Sequence, residues 1–208
     1  MRRHSREWIY EPKTKEQLQR RYDEWAETYD RELREDWGYN APEEMGKLFI
    51  KYVDSRDATI LDAGAGTGLG GEFLKNNGYN NLFGIDMSEG MLEKARRKGI
   101  YQRLDQMLLG EMLDYPDNYF DAVLSVGTIG RQHAPPESFD ELIRITKPRG
   151  LIVFSLFSES YDEPRFYMKL QSLEEFGKWR LVERTEPFLS VPGESLDVFT
   201  YGFAYEVL

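Results

Sequence analysis

The chain contains no cysteine. That absence removes disulfides, thiolate zinc ligands and cysteine nucleophiles together. Histidine is almost as scarce: His4 and His133 are the two in the whole sequence. Proton transfer by imidazole therefore has two candidates, and no metal site is expected. Long apolar runs are missing as well. No stretch approaches the ~20 apolar residues a membrane-spanning helix requires. The basic opening "MRRHSREWIY" leads into no apolar segment, so no signal peptide is expected. Positive charge is in deficit, with 27 Lys and Arg against 37 Asp and Glu, a formal net charge of −10. A surface of that sign repels phosphate backbones, which argues against nucleic acid as a partner. These absences predict a soluble cytoplasmic protein with no membrane partner. They leave open whether it is a monomer or a homodimer.

What remains suffices for one domain and is too little for two: 208 residues, 40% of them hydrophobic and 14% aromatic. After a polar start of about 14 residues, "TKEQLQRRYDEWAETYDREL" sets Leu18, Tyr22, Trp25 and Tyr29 on one helical face. Thr14 and Gln17 form a candidate capping box. "PEEMGKLFIKYV" predicts a second helix, with Pro42 in its first turn. From there strands and helices alternate. "TILDAG", "NLFGIDMS", "YQRLDQML", "YFDAVLSVGT" and "GLIVFSLFS" read as five strands. "GEFLKNNG", "SEGMLEKARRKGI" and "PPESFDELIRIT" read as helices between them, with Ser88 as an N-cap and Pro148-Arg149-Gly150 as a turn. Such alternation implies βαβ units and a parallel sheet. "EPRFYMKLQSLEEFGKW" is helical in pattern. "WRLVERTEPFLSV" and "LDVFTYGFAYEVL", joined at Pro192-Gly193, predict a closing antiparallel hairpin.

The glycine run after the first strand, "ILDAGAGTGLGG", is the most informative stretch. A helix N-terminus exposes backbone N–H groups and partial positive charge. An anionic ligand group can sit there if no side chains block it. Gly64, Gly66 and Gly68 remove the β-carbons that would do so. Two patterns overlap. Gly66 to Gly71 fits the dinucleotide fingerprint G-x-G-x-x-G. Asp62-Ala63-Gly64-Ala65-Gly66-Thr67-Gly68 places an acid at the strand end, which repels a pyrophosphate and suits an ammonium. Asp86 ends the second strand, twenty-two residues beyond Gly64. An acid there can accept hydrogen bonds from a ribose diol, or simply cap the helix that follows.

Taken in order, "ILDAGAGTG", "LFGIDMSEGMLEKAR", "YPDNYFDAVLSVG" and "LIRITKPRGLIVFS" resemble the successive motifs of class I S-adenosylmethionine-dependent methyltransferases. The likeness spans about Ile60 to Ser155, and "YDEWAETYD" with "YNAPEEM" extends it toward the start. Within that superfamily the chain most resembles the Williams–Beuren-syndrome-region methyltransferase-like group. The resemblance implies an α/β Rossmann-like fold: a seven-stranded, mostly parallel sheet, a C-terminal antiparallel hairpin and N-terminal helices. It implies one domain, with a helical cap over residues 1–56, a cofactor core over 57–155 and closing elements over 156–208. It implies S-adenosyl-L-methionine as cofactor and S-adenosyl-L-homocysteine as product. By position, Asp62, Ala63, Gly64, Gly66 and Gly68 match the loop that holds the methionine part. Asp86 matches the ribose acid, and Met87 lies beside the adenine. Trp25 and Tyr29 match a segment that folds over the cofactor, though helix core explains them equally. Val126, with Gly127, ends the strand toward which the reacting methyl points. Family members often carry an acid after the third strand. Here Leu109 stands in its place, followed by Gly110 and Glu111, so the adenine would rest on Leu109 and bond to backbone or Glu111.

A sulfonium methyl is already electrophilic, so the protein mainly aligns a nucleophile and excludes water. A general base helps only an acceptor that starts protonated. His133 follows the fourth strand, where an acceptor should dock, and is the candidate base; a plain loop residue is the alternative. The "APP" at Ala134 to Pro136 lacks the Asn or Asp and the aromatic of amino-methylating nucleic-acid enzymes. A small-molecule acceptor is therefore expected. Tyr39, Phe157, Tyr161, Phe166 and Tyr167 are candidate pocket walls or core. Two other functions stay open: a cofactor-binding protein without turnover, and a nicotinamide-dependent oxidoreductase.

Overall fold

The computed structural model describes residues 8–9, 14–193 and 198–208. His4, most of the polar start, and Leu196 and Asp197 at the head of the expected last strand lie outside the described residues.

The first helix, α1 (Lys15–Trp25), is capped as its sequence predicts: Thr14 Oγ1 accepts from the Gln17 amide at 3.3 Å. It stops at Ala26, earlier than the apolar spacing suggests. A single turn at Tyr29–Arg31 and a π-helical turn at Glu32–Asp36 carry the chain on to α2 (Ala41–Tyr52). The alternating segment follows as β1 (Ile60–Ala63), α3 (Leu69–Asn76), β2 (Leu82–Asp86), α4 (Glu89–Lys98), β3 (Arg103–Gln106), β4 (Phe120–Ser125), α5 (Ser138–Ile145) and β5 (Thr146–Phe157). The chain closes with α6 (Pro164–Glu175), β6 (Trp179–Arg184), β7 (Phe188–Leu189) and β8 (Phe199–Val207).

One sheet holds all the strands in the order β3-β2-β1-β4-β5-β8-β6, with β7 pairing β8 beside that path. The first five strands are parallel, and β8 and β6 are antiparallel. This is the expected Rossmann-like α/β fold, with eight strands rather than seven. The extra strand arises because "WRLVERTEPFLSV" does not run straight. Its pairing with β8 slips between Leu181 and Glu183. Pro187, which has no N–H to offer a ladder, then separates β6 from β7. The turn expected at Pro148-Arg149-Gly150 is instead an irregularity within β5: Arg149 has φ +67, and the β4–β5 register shifts between Phe120 and Ala122.

Helices cover both faces, so strand residues alternate between two cores. Leu61, Val123, Ile152 and Phe154 face α5 and α6, where Phe139, Leu142 and Leu170 meet them. Ile60, Leu124 and Val153 face α2 and α3, where Phe49 and Leu74 meet them. A third cluster joins Trp25, Leu33 and Met91 under the N-terminal segment. Asp23 fixes that segment in place. Its Oδ1 accepts from Ser88 Oγ at 2.6 Å and from the Gly90 amide at 2.9 Å, at the N-terminus of α4 where a carboxylate is favoured. Among the described residues no helix is long and apolar enough to cross a membrane.

Phe154 is the centre of the larger core. Its ring stacks on Phe203 at 5.2 Å, on Tyr205 at 5.9 Å and on Trp179 at 6.2 Å, and it is fully buried. Phe154→Ala is expected to lower the unfolding free energy by about 3–5 kcal/mol. Urea denaturation would show this as a lower midpoint at unchanged slope, and a loss below about 1 kcal/mol would contradict the packing described.

Candidate functional site

Strand order reverses between β1 and β4, which opens a crevice beyond their carboxyl ends. Three connected chambers lie there. The largest encloses about 740 Å³ including its open mouth, and its walls include Gly64, Gly66, Asp86, Met87, Leu109 and Val126. The second, about 520 Å³, is walled by Tyr22, Trp25, Trp37, Tyr39 and Phe157. The third, about 340 Å³, lies over Asp62 and Gly70. Tyr29 lines all three.

The floor is made of backbone. Gly64 and Ala65 donate their amides to the Ile85 carbonyl, at 2.8 and 2.9 Å. The Gly66 amide donates to Asp86 Oδ2 at 2.8 Å, and the Ser88 amide donates to Oδ1 at 2.9 Å. The glycines divide their work in a way the sequence does not reveal. A β-carbon on Gly64 would lie 2.2 Å from Thr128, so this glycine admits a protein side chain rather than a ligand. Thr128 Oγ1 donates to the Gly64 carbonyl at 3.2 Å. Gly68 faces the Tyr101 ring, 3.0 Å from where its β-carbon would sit. Gly66 has φ +54 and nothing within 4 Å of that position. Of the three, it alone keeps open space in front of the loop, a cradle that any side chain would fill.

Two carboxylates flank this floor. Asp62 is buried, and its Oδ2 accepts from Tyr101 Oη at 2.6 Å and from the Gly71 amide at 3.0 Å. Burial pushes its carboxyl up to about 6, against the pull of those two donors. Asp86 is half-buried. Burial pushes it up to about 6 as well, opposed by the amides of Ser88, Gly66 and Met87. Desolvation and the adjoining Asp62 carboxylate raise the half-buried Tyr101 well above the usual phenol range. This tyrosine anchors the motif, yet it lies 39 residues from Asp62 in sequence and carries no spacing signal.

The other candidate residues separate by location. Tyr29, Gly64, Gly66, Asp86, Met87, Leu109, Val126 and His133 line the largest chamber. Trp25 belongs to the aromatic chamber. It is buried, its ring lies 4.7 Å from that of Tyr29, and its Nε1 donates to Glu32 at 3.0 Å. It is core and chamber wall together. Ala63 is buried in β1, where its carbonyl accepts from Ser125 Oγ at 2.8 Å. Gly110 sits against Pro135, and the exposed Glu111 pairs with Lys15 at 3.5 Å; neither lines a chamber described here. Of the aromatic candidates, Tyr39 and Phe157 wall the second chamber. Phe166 is core, Tyr167 is exposed, and Tyr161 packs on Tyr201 and Phe203. His133 lines the first and second chambers, and its Nε2 lies 2.6 Å from Tyr22 Oη. Helical spacing places Tyr22 on a face but says nothing of this contact, which spans 111 residues.

Comparison with known proteins agrees with this geometry. Residues 61–154 match the family described as a methyltransferase domain. Human methyltransferase-like protein 27 is 36% identical over 164 residues, 76% of this chain and 66% of the relative. The demethylmenaquinone methyltransferase of Symbiobacterium thermophilum is 31% identical over 153 residues, 68% of this chain and 60% of the relative. A chain solved in complex with the Haloferax volcanii Trm112 methyltransferase activator shares the fold, with a TM-score of 0.68 at 16% identity, over 89% of this chain and 97% of that one. The chain thus spans 66% and 60% of the lengths of these two curated relatives. Fold and crevice define a Rossmann-like methyltransferase domain. The chain belongs to the class I S-adenosylmethionine-dependent methyltransferases, the family its motifs resemble, and S-adenosylmethionine is the cofactor of that family.

The residues of the crevice fit that cofactor: an open glycine cradle, a half-buried acceptor carboxylate and an apolar slot. A carboxyl raised to about 6 is neutral at pH 5 and ionised at pH 7.5. Hydrogen bonds from ribose hydroxyls favour the ionised form. Calorimetric affinity for S-adenosylhomocysteine is therefore expected to weaken about tenfold from pH 7.5 to pH 5. Asp86→Asn should bind weakly at both values, with a flatter profile.

Proposed function

We propose that this chain transfers a methyl group from S-adenosylmethionine to a small-molecule acceptor held in the aromatic chamber. The observation that carries the reading is that two chambers of different chemistry share one boundary. Tyr22, Tyr29, Gly127 and His133 line both, beyond the end of β4. A bisubstrate enzyme needs that arrangement, because its reacting atoms must meet at a partition that excludes water.

In this reading Asp86 accepts from the ribose hydroxyls, and Met87 and Leu109 flank the adenine. The backbone from Gly64 to Gly66 passes along the methionine part. Asp62 Oδ1, the oxygen not engaged by Tyr101 and Gly71, faces the ammonium end across the third chamber. When bound, the cofactor supplies a methyl carbon on a positively charged sulfur. The chain's own part is to hold the acceptor in line and keep water out. The ring-lined walls of the second chamber, about 520 Å³, support a small acceptor over a polymer, as does the charge of −10. The family assignment takes the place of the nicotinamide alternative.

Incubation with methyl-labelled S-adenosylmethionine and a metabolite extract is expected to move label into the low-molecular-weight fraction. Gly66→Val, which fills the cradle, should reduce that transfer at least tenfold. Label found in protein or nucleic acid instead would contradict the small-molecule reading. Tight cofactor binding with no labelled product would favour a protein that binds without turnover.

A further inference from the structure

We propose that the acceptor is an uncharged, flat aromatic compound bearing a hydroxyl group, and that the Tyr22–His133 pair takes the proton of that hydroxyl. This rests on the methyltransferase reading above.

The walls of the second chamber decide the class. Tyr22, Trp25, Tyr29, Trp37, Tyr39 and Phe157 present ring faces and edges, and Leu33, Val191 and Val198 fill the gaps. Among the described residues no Asp, Glu, Lys or Arg lines it. An acceptor carboxylate or phosphate would meet the electron-rich faces of rings and no cation, so an anion is disfavoured. An ammonium would gain from those faces. It would also sit unpaired among apolar walls, next to a site built for a sulfonium of the same sign. A neutral ring system meets neither cost, and it stacks on the walls.

The boundary decides the nucleophile. Its one imidazole is that of His133, whose Nε2 lies 2.6 Å from Tyr22 Oη. A carbon nucleophile or a neutral amine attacks through a lone pair or a π bond without first losing a proton. A hydroxyl gains most from a base. With Nε2 as acceptor, Tyr22 passes its own proton to His133 as it receives the acceptor's. The O–H bond breaks and its electron pair stays on oxygen. That oxygen bonds the methyl carbon, the C–S pair returns to sulfur, and the positive charge ends on the imidazole. Other groups face this pair. Lys15 and Asp86 line the first chamber, Tyr29 and Tyr39 the second, and Arg131 pairs with Glu163 at 4.0 Å in the adjoining loop.

The test uses three probes on one ring: 4-nitrophenol, 4-nitrobenzoate and 4-nitrobenzylammonium. Each is titrated calorimetrically into the full chain at pH 6, where the phenol is mostly neutral, with and without S-adenosylhomocysteine. The phenol is expected to bind at least about tenfold more tightly than either charged probe. The absorbance of bound 4-nitrophenol reports its own ionisation without any turnover. Its midpoint should lie about one pH unit lower in the native chain than in His133→Asn or in Tyr22→Phe, each checked for folding by circular dichroism. A charged probe that binds as tightly as the phenol overturns the proposal, as does a midpoint unmoved by both substitutions. If S-adenosylhomocysteine still binds in that case, the methyltransferase reading stands without this acceptor. If S-adenosylhomocysteine gives no heat, that reading fails and the proposal with it.

Discussion

The crevice depends on one carboxylate holding two amides. Asp86 ends β2 and accepts from Gly66 on one oxygen and Ser88 on the other. It thereby ties the loop after β1 to the first turn of α4. The parallel register makes this reachable, since Ala63 pairs with Ile85, which sets Gly64, the first residue of the loop, beside Asp86, the last of β2. Burying a carboxylate is unfavourable, which is why its pKa rises, and hydrogen bonds from amides to a charged acceptor offset part of that cost. Gly84 contributes by what it lacks. A β-carbon there would lie 2.6 Å from Leu104 and 3.2 Å from both Ala65 and Tyr101. With it in place, neither the loop nor Tyr101 could close down on Asp62.

The N-terminal segment completes the enclosure by two kinds of contact. Polar contacts fix its position: Asp23 at the start of α4, Asp30 on Thr67, and Arg34 with Lys98 around Glu72 at 2.6 and 3.0 Å. The more exposed pair between Lys94 and Glu27 adds little beyond orientation. The stability of the lid comes from its rings. Trp25 packs against Tyr29 at 4.7 Å and Trp37 at 5.2 Å, removing large apolar surfaces from water. The same rings that bury themselves form the wall of the second chamber. Core and pocket are one structure here, so the sequence alone left both readings of Trp25 open.

Much of this was legible in the residues. Alternating strands and helices, the glycine run and an acid at the end of the second strand are local patterns, and local patterns survive in sequence. They yielded the parallel sheet, the closing antiparallel strands and the crevice. What escaped was long-range. Tyr101 on Asp62, Thr128 in the space left by Gly64, and Tyr22 on His133 join residues far apart in the chain. No spacing rule encodes them. The break in the last strands was missed for a different reason: a proline in an apolar run reads as an edge strand as easily as a break. The helix expected to run through Thr28 ends at Ala26, where the chain must turn to carry its rings across the crevice.

The central claim is that Gly66 and Asp86 together form the grip on the cofactor, Gly66 along its methionine part and Asp86 at its ribose. Amide chemical-shift mapping with nitrogen-15-labelled protein and S-adenosylhomocysteine addresses it directly. The account predicts that the Gly64, Gly66 and Ser88 resonances move most and saturate together, with Tyr29 among the next. Saturable binding that leaves those three amides unmoved while shifting another face of the sheet would contradict it.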